Sequence, residues 1–489
     1  DTRVIDAQGA TLVPGLQDAH GHFTTLGASL QFLRLRGTTS YEQIVDLVRA
    51  RAATARPGEW IQGRSWDQND WPAKEWPTHQ KLTEAAPNNP VYLTRVDGHA
   101  ALVNKAALEA AGVTKATPDP AGGRLIRDPA GDPAGVLIDS AQDLVGSKIP
   151  DVSDEQLDEQ ILLADAETRK LGLTAVHDAG TTPRTVAAYK RLIDAGQLKT
   201  RLYVMLRGPI SMLEPEFKKG PTINYGDHHL SVRAIKIGAD GALGSRGAAL
   251  LEPYSDEPGT TGLMTTSPEE IYAQTLAASR AGFQTCIHAI GDRGNRVAMD
   301  VFERVQGEVP GARNLRMRNE HAQILDAAEV TRFARLNVIA SMQATHATSD
   351  MPWVPSRIGA DRTEEGAYLW QRLMKTGVVL ANGSDFPVEE PNPMLGFYAA
   401  ITRQDPSGNP PGGWMPNERM SRDEALKSFT WNAAYASHLE NELGSLEVGK
   451  LADMVLLDKN VLTVEPREIL STRSLLTVIG GEVVFELKQ

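Results

Sequence analysis

A single cysteine, Cys286, stands in a chain of 489 residues, so no intrachain disulfide can form and cysteine usage gives no sign of an oxidising compartment. No apolar stretch approaches the roughly 18 residues that span a bilayer, and no charged-then-apolar signal segment opens the chain. Basic residues are in deficit: 50 Lys and Arg against 62 Asp and Glu leave a formal charge of −12, which argues against a nucleic-acid partner. Repeats of fixed period and low-complexity segments are also missing. These absences predict a soluble protein with no membrane and no nucleic-acid partner. A cytoplasmic location is the expectation, with the periplasm open because the chain starts at Asp1 without a methionine.

What is present is a globular mixture, 41% hydrophobic and 23% charged, with 43 Gly and 29 Pro dispersed along the chain, as in a folded, loop-rich enzyme. Short apolar runs recur, each ending in polar or glycine-rich residues and followed by a helix-like stretch, the pattern of repeated βα units. They are Leu12 to Leu16, Val91 to Thr94, Leu173 to Val176, Leu202 to Leu206, Val232 to Ile237, Phe283 to Ile287, Leu315 to Arg318, Val338 to Met342 and Val378 to Ala381. One more than eight, they predict a (β/α)₈ TIM barrel, an α/β fold, with the Val91 run assigned to an insertion.

The barrel is expected over residues 12–440, with a lid insertion around 55–150 that carries Trp60, Trp66, Trp71 and Trp76. Beyond Ser445 come Gly-Lys turns and alternating strands, Met454 to Leu457, Leu475 to Ile479 and Val483 to Phe485. Residues 441–489 thus predict a small β-sandwich domain.

His20 and His22 follow the first run as His-Gly-His, and a spacing of two sets both imidazoles on one face of an extended segment, as a metal clamp needs. Lys236, His288, His321 and Asp385 lie at or just past the carboxyl ends of later runs, which a parallel barrel brings to one face. Taken singly, His288 reads as a satisfied core histidine and Asp385 as a helix N-cap. Four imidazoles, a carboxylate and a lysine at one barrel end are hard to explain as packing.

Of the remaining candidates, His177 and Asp178 read as structural hydrogen-bonding groups, and Cys286 as a small buried hydrophobe rather than a nucleophile. Trp66, Trp71, His99, Arg246, His346 and Trp353 fall in segments expected to rim the mouth. Trp66, His99, Arg246 and Trp353 are the candidates for substrate contact, against lid packing for the aromatics and loop anchoring for Arg246.

The set His20-Gly-His22, Lys236, His288, His321 and Asp385, followed by Gly444 through Asp453 (Gly-Ser-Leu-Glu-Val-Gly-Lys-Leu-Ala-Asp), resembles the amidohydrolase superfamily across essentially the whole chain. More narrowly, Trp66-Asp67, Asp240 through Arg246 and His288-Ala-Ile-Gly-Asp292 are similar to amidohydrolase family 3, the subgroup that includes N-substituted formamide deformylases. The resemblance implies that His20 and His22 hold the more buried of two ions and His288 and His321 the other. It implies a carbamylated Lys236 as an anionic bridge, with Asp385 contacting a metal and the attacking water, and it implies that residues 1–11 are an N-terminal remnant of the β-sandwich domain.

The expected cofactor is a divalent metal, zinc best, at one or two ions per chain. The expected reaction is hydrolysis of a carbon–nitrogen bond in a small-molecule amide or formamide by metal-activated hydroxide, with Asp385 and His321 as catalytic residues. Ester, lactone or carbamate hydrolysis and deamination share that chemistry, and a silent binding barrel is the rival outside enzymes. A homo-oligomer is compatible with all of these readings.

Overall fold

The computed structural model describes residues 4–96, 98, 100–120 and 122–488. The chain folds as two compact units, one made of Asp1–Thr24 with Ile161–Gln489 and the other of Thr25–Gln160.

In the first unit eight strands lie parallel in chain order: Leu16–Gly21, Leu173–Thr181, Arg201–Leu206, Leu230–Gly238, Gln284–Ala289, Arg318–His321, Ile339–Gln343 and Leu380–Gly383. They are almost wholly buried, as strands covered on both faces must be. Strand eight returns beside strand one, where Asp385 N–H donates to His20 O at 2.7 Å and His22 N–H to Phe386 O at 2.8 Å. The approach is so close that a Cβ on Gly383 would stand 2.5 Å from His20 N.

Helices follow the strands on local signals. In Pro183–Asp194 the Thr182 side chain caps the first turn, Pro183 starts it, and Val186, Tyr189 and Leu192 recur on one buried face. In Ala327–Leu336 the Asp326 carboxylate caps the start, and Phe333 and Leu336 are buried.

The apolar run Leu12 to Leu16 does not form one barrel strand as predicted. Thr11–Pro14 pairs antiparallel with Met454–Leu457, and the barrel begins at Leu16. The break falls at Pro14-Gly15, where a Cβ on Gly15 would stand 2.3 Å from Thr174 Oγ1. Thr11–Pro14, Met454–Leu457, Ser474–Ile479 and Glu482–Glu486 form a four-stranded antiparallel sheet in that order. Its last hairpin turns on Gly480 and Gly481, with φ of +58° and +83°, values that suit a two-residue turn of glycines. Asp453 ties the sheet to the barrel: its carboxylate accepts from Arg201 Nε (2.8 Å), Arg201 Nη2 (3.0 Å) and Gly480 N (2.8 Å).

The second unit builds its own six-stranded mixed sheet, in the order Leu33–Arg34, Ile61–Trp66, Val91–Arg95, Ala100–Val103, Pro133–Asp139 and Gly123–Arg127. Helix Tyr41–Ala52, capped by Ser40, presses Ile44, Val45 and Val48 into a core with Leu93, Trp66 and Trp71. Among the described residues no helix is long and apolar enough to cross a membrane.

Candidate metal centre

Strand one ends with His20 buried and His22 half-buried. Gly21 separates them because a Cβ there would meet the Phe386 ring at 2.6 Å. Asp18 locks this end to strand eight: its carboxylate accepts from His20 N (3.0 Å), Ser384 N (3.1 Å) and Ser384 Oγ (2.6 Å). Asp385 is thereby set against the histidine pair, with its Oδ1 3.0 Å from His22 Nε2 and 3.6 Å from His20 Nε2. Lys236, inside strand four, has its Nζ 3.0 Å from His20 Nε2.

Strand five brings His288, whose ring centroid is 4.6 Å from that of His321; the His321 and His20 centroids are 4.7 Å apart. Asp240 anchors the turn after His288 by accepting from Ile290 N (3.0 Å), Gly291 N (2.9 Å) and Ala249 N (2.9 Å).

Strand six poses a problem of alternation. Arg318 and Glu320, two residues apart, both point inward, so His321 would point out if the strand continued. Its φ of +75° breaks the pleat and turns the imidazole into the cluster. Asp385 ends strand eight in the same way at φ +59°. Left-handed backbone at non-glycine residues costs about 1–3 kcal/mol each and gathers at functional sites.

Beneath the histidines lies a fully buried ionic network. Arg318 pairs with Glu320 through Nε (2.7 Å) and Nη2 (3.0 Å), donates to Ala19 O (2.6 Å) and Ser341 Oγ (2.9 Å), and reaches His177 Nδ1 at 2.8 Å. Glu320 Oε2 accepts from His20 Nδ1, and Gln343 Oε1 accepts from His321 Nδ1 at 2.8 Å. Both bonds fix the proton on Nδ1 and leave Nε2 as the lone pair facing the cluster.

Burial, reinforced by the Lys236 charge, lowers His20 to about 4 and His288 to about 3, and burial beside other imidazoles takes His321 well below its ordinary range. Burial also draws Lys236 down to about 8. Asp385 and Glu320 are also lowered, which for a carboxyl favours the charged form. Their desolvation is outweighed, by the neighbouring His22 and His20 for Asp385 and by Arg318 and His20 for Glu320, so both carboxyls stay well below the usual range. The cluster therefore holds neutral imidazoles around an ionised carboxylate.

Such a set fits a transition-metal cation. His288 Nε2 is buried with no hydrogen-bond partner, and buried polar atoms rarely go unpaired. Ligand atoms of His20, His22 and Asp385 lie within 4.8 Å of one another, as do those of His321, His346 and Asp385.

The six residues named from the sequence as ligands thus gather at one barrel end. The substrate-contact residues fare differently. Trp66 is completely buried in the core of the second unit, stacked on Trp71 at 6.0 Å and donating its indole N–H to Leu93 O at 2.8 Å, which corrects the expectation that it meets substrate. Arg246 takes the loop-anchoring alternative through a bidentate pair with Asp256 at 3.0 Å and 3.0 Å. Trp353 is half-buried against Gly244, and His99 lies outside the described residues. Sequence reasoning missed Glu320 and Arg318 as supports, and it placed His346 at the rim when it stands 3.9 Å from Asp385 Oδ2.

Comparison with known proteins identifies the family. Residues 3–485 match the family described as amidohydrolase family. The chain is 34% identical over 496 residues to Protein LONG AFTER FAR-RED 3 of Arabidopsis thaliana, covering 99% of this chain and 84% of that one. It is 26% identical over 500 residues to an N-substituted formamide deformylase of Arthrobacter pascens, with coverage of 99% and 90%. An uncharacterized metal-dependent hydrolase from Pyrococcus horikoshii OT3 matches in structure with a TM-score of 0.78 and 28% identity, over 94% of this chain and 89% of that one.

Proposed function

This chain belongs to the amidohydrolase family, and we propose that it is a metal-dependent hydrolase of a carbon–nitrogen bond in an N-substituted amide or formamide. The observation that carries the reading is the meeting of neutral imidazoles, an ionised carboxylate and a buried lysine at the carboxyl ends of the barrel strands, with the unpaired His288 Nε2 among them. The likeness to a formamide deformylase supports the choice of bond.

His20, His22 and Asp385 would hold one cation, and His288 and His321 a second. When bound, such a cation acts as a Lewis acid that acidifies water and polarises a carbonyl, with zinc the best match to an imidazole-rich set. Lys236 as an ammonium would repel cations, and burial shifts it toward its neutral amine. Addition of carbon dioxide to that amine, with loss of a proton, would give a carbamate anion, a ligand suited to a cation where the ammonium is not. Asp385 takes the proton of the attacking water on its carboxylate and passes it to the departing nitrogen, which leaves as the amine.

Elemental analysis of the purified protein, with a hydrolysis assay on a panel of N-formyl and N-acyl amines, tests the reading. One to two zinc ions per chain, amine release abolished by chelator, and loss of at least one ion in Lys236→Ala are expected. Full activity in chelator without stoichiometric transition metal overturns the metal reading, and full metal content and turnover in Lys236→Ala overturns the bridge.

A further inference from the structure

Three histidines around Asp385 and His20 show opposite proton placements. His20 and His321 each direct Nδ1 at an oxygen acceptor, Glu320 Oε2 and Gln343 Oε1, so their Nε2 atoms carry the lone pairs, that of His20 facing Lys236 Nζ at 3.0 Å. His346, in the helical segment Ala344–Asp350 that follows strand seven, has its Nδ1 3.3 Å from the amide nitrogen of Gln323. An amide nitrogen only donates, so this Nδ1 accepts, and a neutral imidazole whose Nδ1 accepts carries its single proton on Nε2. That Nε2 is buried without a partner and stands 3.9 Å from Asp385 Oδ2. A nitrogen bearing a proton offers no lone pair to a cation.

From this geometry we infer that His346 is a substrate-facing hydrogen-bond donor, its Nε2–H stabilising the substrate oxygen that gains charge on attack, and not a further metal ligand; the inference rests on the hydrolase reading above. The side chain is placed for that task before substrate arrives. Its residue is 7% exposed, and its ring stacks over His321 with centroids 6.0 Å apart and planes 24° from parallel. A donor fixed in a water-poor pocket needs no reorganisation when charge develops, which is the basis of oxyanion stabilisation. No covalent step is assigned to His346: it keeps its proton while the water's proton travels through Asp385.

Two measurements on the zinc-loaded full chain test this. In protein carrying ¹⁵N-labelled histidine, with the His346 signals assigned by their loss in His346→Gln, Nδ1 should show a pyridine-type shift and Nε2 a pyrrole-type shift. The reverse pattern, Nδ1 protonated and Nε2 bound to zinc, overturns the inference. In turnover of the amide panel, His346→Phe should lower kcat by roughly 10²–10³, the scale of one lost oxyanion donor, with KM and zinc content unchanged. His346→Gln, whose amide nitrogen can reach the place of Nε2, should recover at least about tenfold of that loss. Loss of an ion in either variant, or wild-type kcat in His346→Phe, overturns it. A wild-type chain that binds zinc and hydrolyses no amide refutes the proposed reaction instead, and the nitrogen shifts then decide the donor assignment alone.

Discussion

The two units of this chain bury polar groups in opposite ways. In the second unit Asn104 is fully buried and fully paired: its Oδ1 accepts from Val91 N (2.9 Å) and Ala107 N (3.1 Å), and its Nδ2 donates to Ala86 O (3.0 Å) and Asn89 O (2.9 Å). Among the described residues, every buried side-chain atom without a hydrogen-bond partner belongs to the barrel unit. Some are isolated, such as Trp370 Nε1, but His346 Nε2 stands 3.9 Å from Asp385 Oδ2 and His288 Nε2 belongs to the same cluster. Positive φ at non-glycine residues does not separate the units, since Ser65 and Asp139 show it in the second. The discriminating feature is strain gathered with unpaired polar atoms in one cluster: His321 and Asp385 carry the positive φ, and His288 and His346 the unpaired Nε2 atoms. A fold satisfies buried polar groups wherever stability alone is selected, and leaves them open where something else must bind.

The sharpest way to break that contrast is to remove the ionised carboxylate at its centre. Asp385→Asn keeps the backbone bond from residue 385 to His20 O and most of the side-chain volume, so the fold and much of the metal should remain. Turnover should fall by roughly 10² or more, the scale of a lost general base and acid, as read by kcat beside elemental analysis. Near-native kcat would move proton transfer elsewhere, with His321 the next candidate.

How far this was legible in the sequence depended on whether a residue's role was set by its type or by its partner. His20, His22, Lys236, His288, His321 and Asp385 could be read because their types are chemically distinctive and the parallel barrel fixes which strand ends meet. Strands two to eight were located by their apolar runs, whereas the first run, Leu12 to Leu16, is divided between the two sheets. Their edges were missed where no apolar residue marks them: the strand expected from Leu315 begins at Arg318, since charged Arg318 and Glu320 fill its inward positions. The spacing of those two charges, with His321 beside them, was the available signal for an internal ion pair. Trp66 was misplaced because an aromatic in an insertion looks the same in a mouth or in a second core; only the Leu93 carbonyl and Trp71 ring decide it. His346 gave no local sign, because its meaning lies in Gln323 and Asp385, 23 and 39 positions away.

A second prediction follows from the satisfied core. Trp66→Ala empties the centre of the second unit's packing and strands the Leu93 carbonyl, and such truncations cost about 3–5 kcal/mol. Denaturant unfolding of the full chain should show an earlier transition in this variant, with zinc content and kcat of the folded protein unchanged. An unaltered unfolding curve, accompanied by a rise in KM confined to bulky substrates, would return Trp66 to substrate contact and erase the contrast between the units.

The smallest effect is expected at Arg246, where anchoring and substrate binding make different forecasts. Its guanidinium grips Asp256 from one side while Arg357 pairs with the same carboxylate, and Glu257 lies 3.3 Å from Arg246 Nε. Arg246→Ala therefore leaves Asp256 with a cation, so no buried charge is left alone. The Arg246 side chain is 31% exposed, and a partly exposed pair with a surviving partner is worth about 0–1 kcal/mol. The loss of stability should stay within that range and shrink further at high salt, because the charges are open to screening. KM should change by less than about threefold for neutral and anionic amides alike, since a guanidinium held in two parallel bonds to Asp256 has little left to offer a substrate. If Arg246→Ala instead raises KM by tenfold or more for anionic amides alone while stability is untouched, the guanidinium leaves Asp256 during turnover, and Arg246 belongs to the substrate pocket.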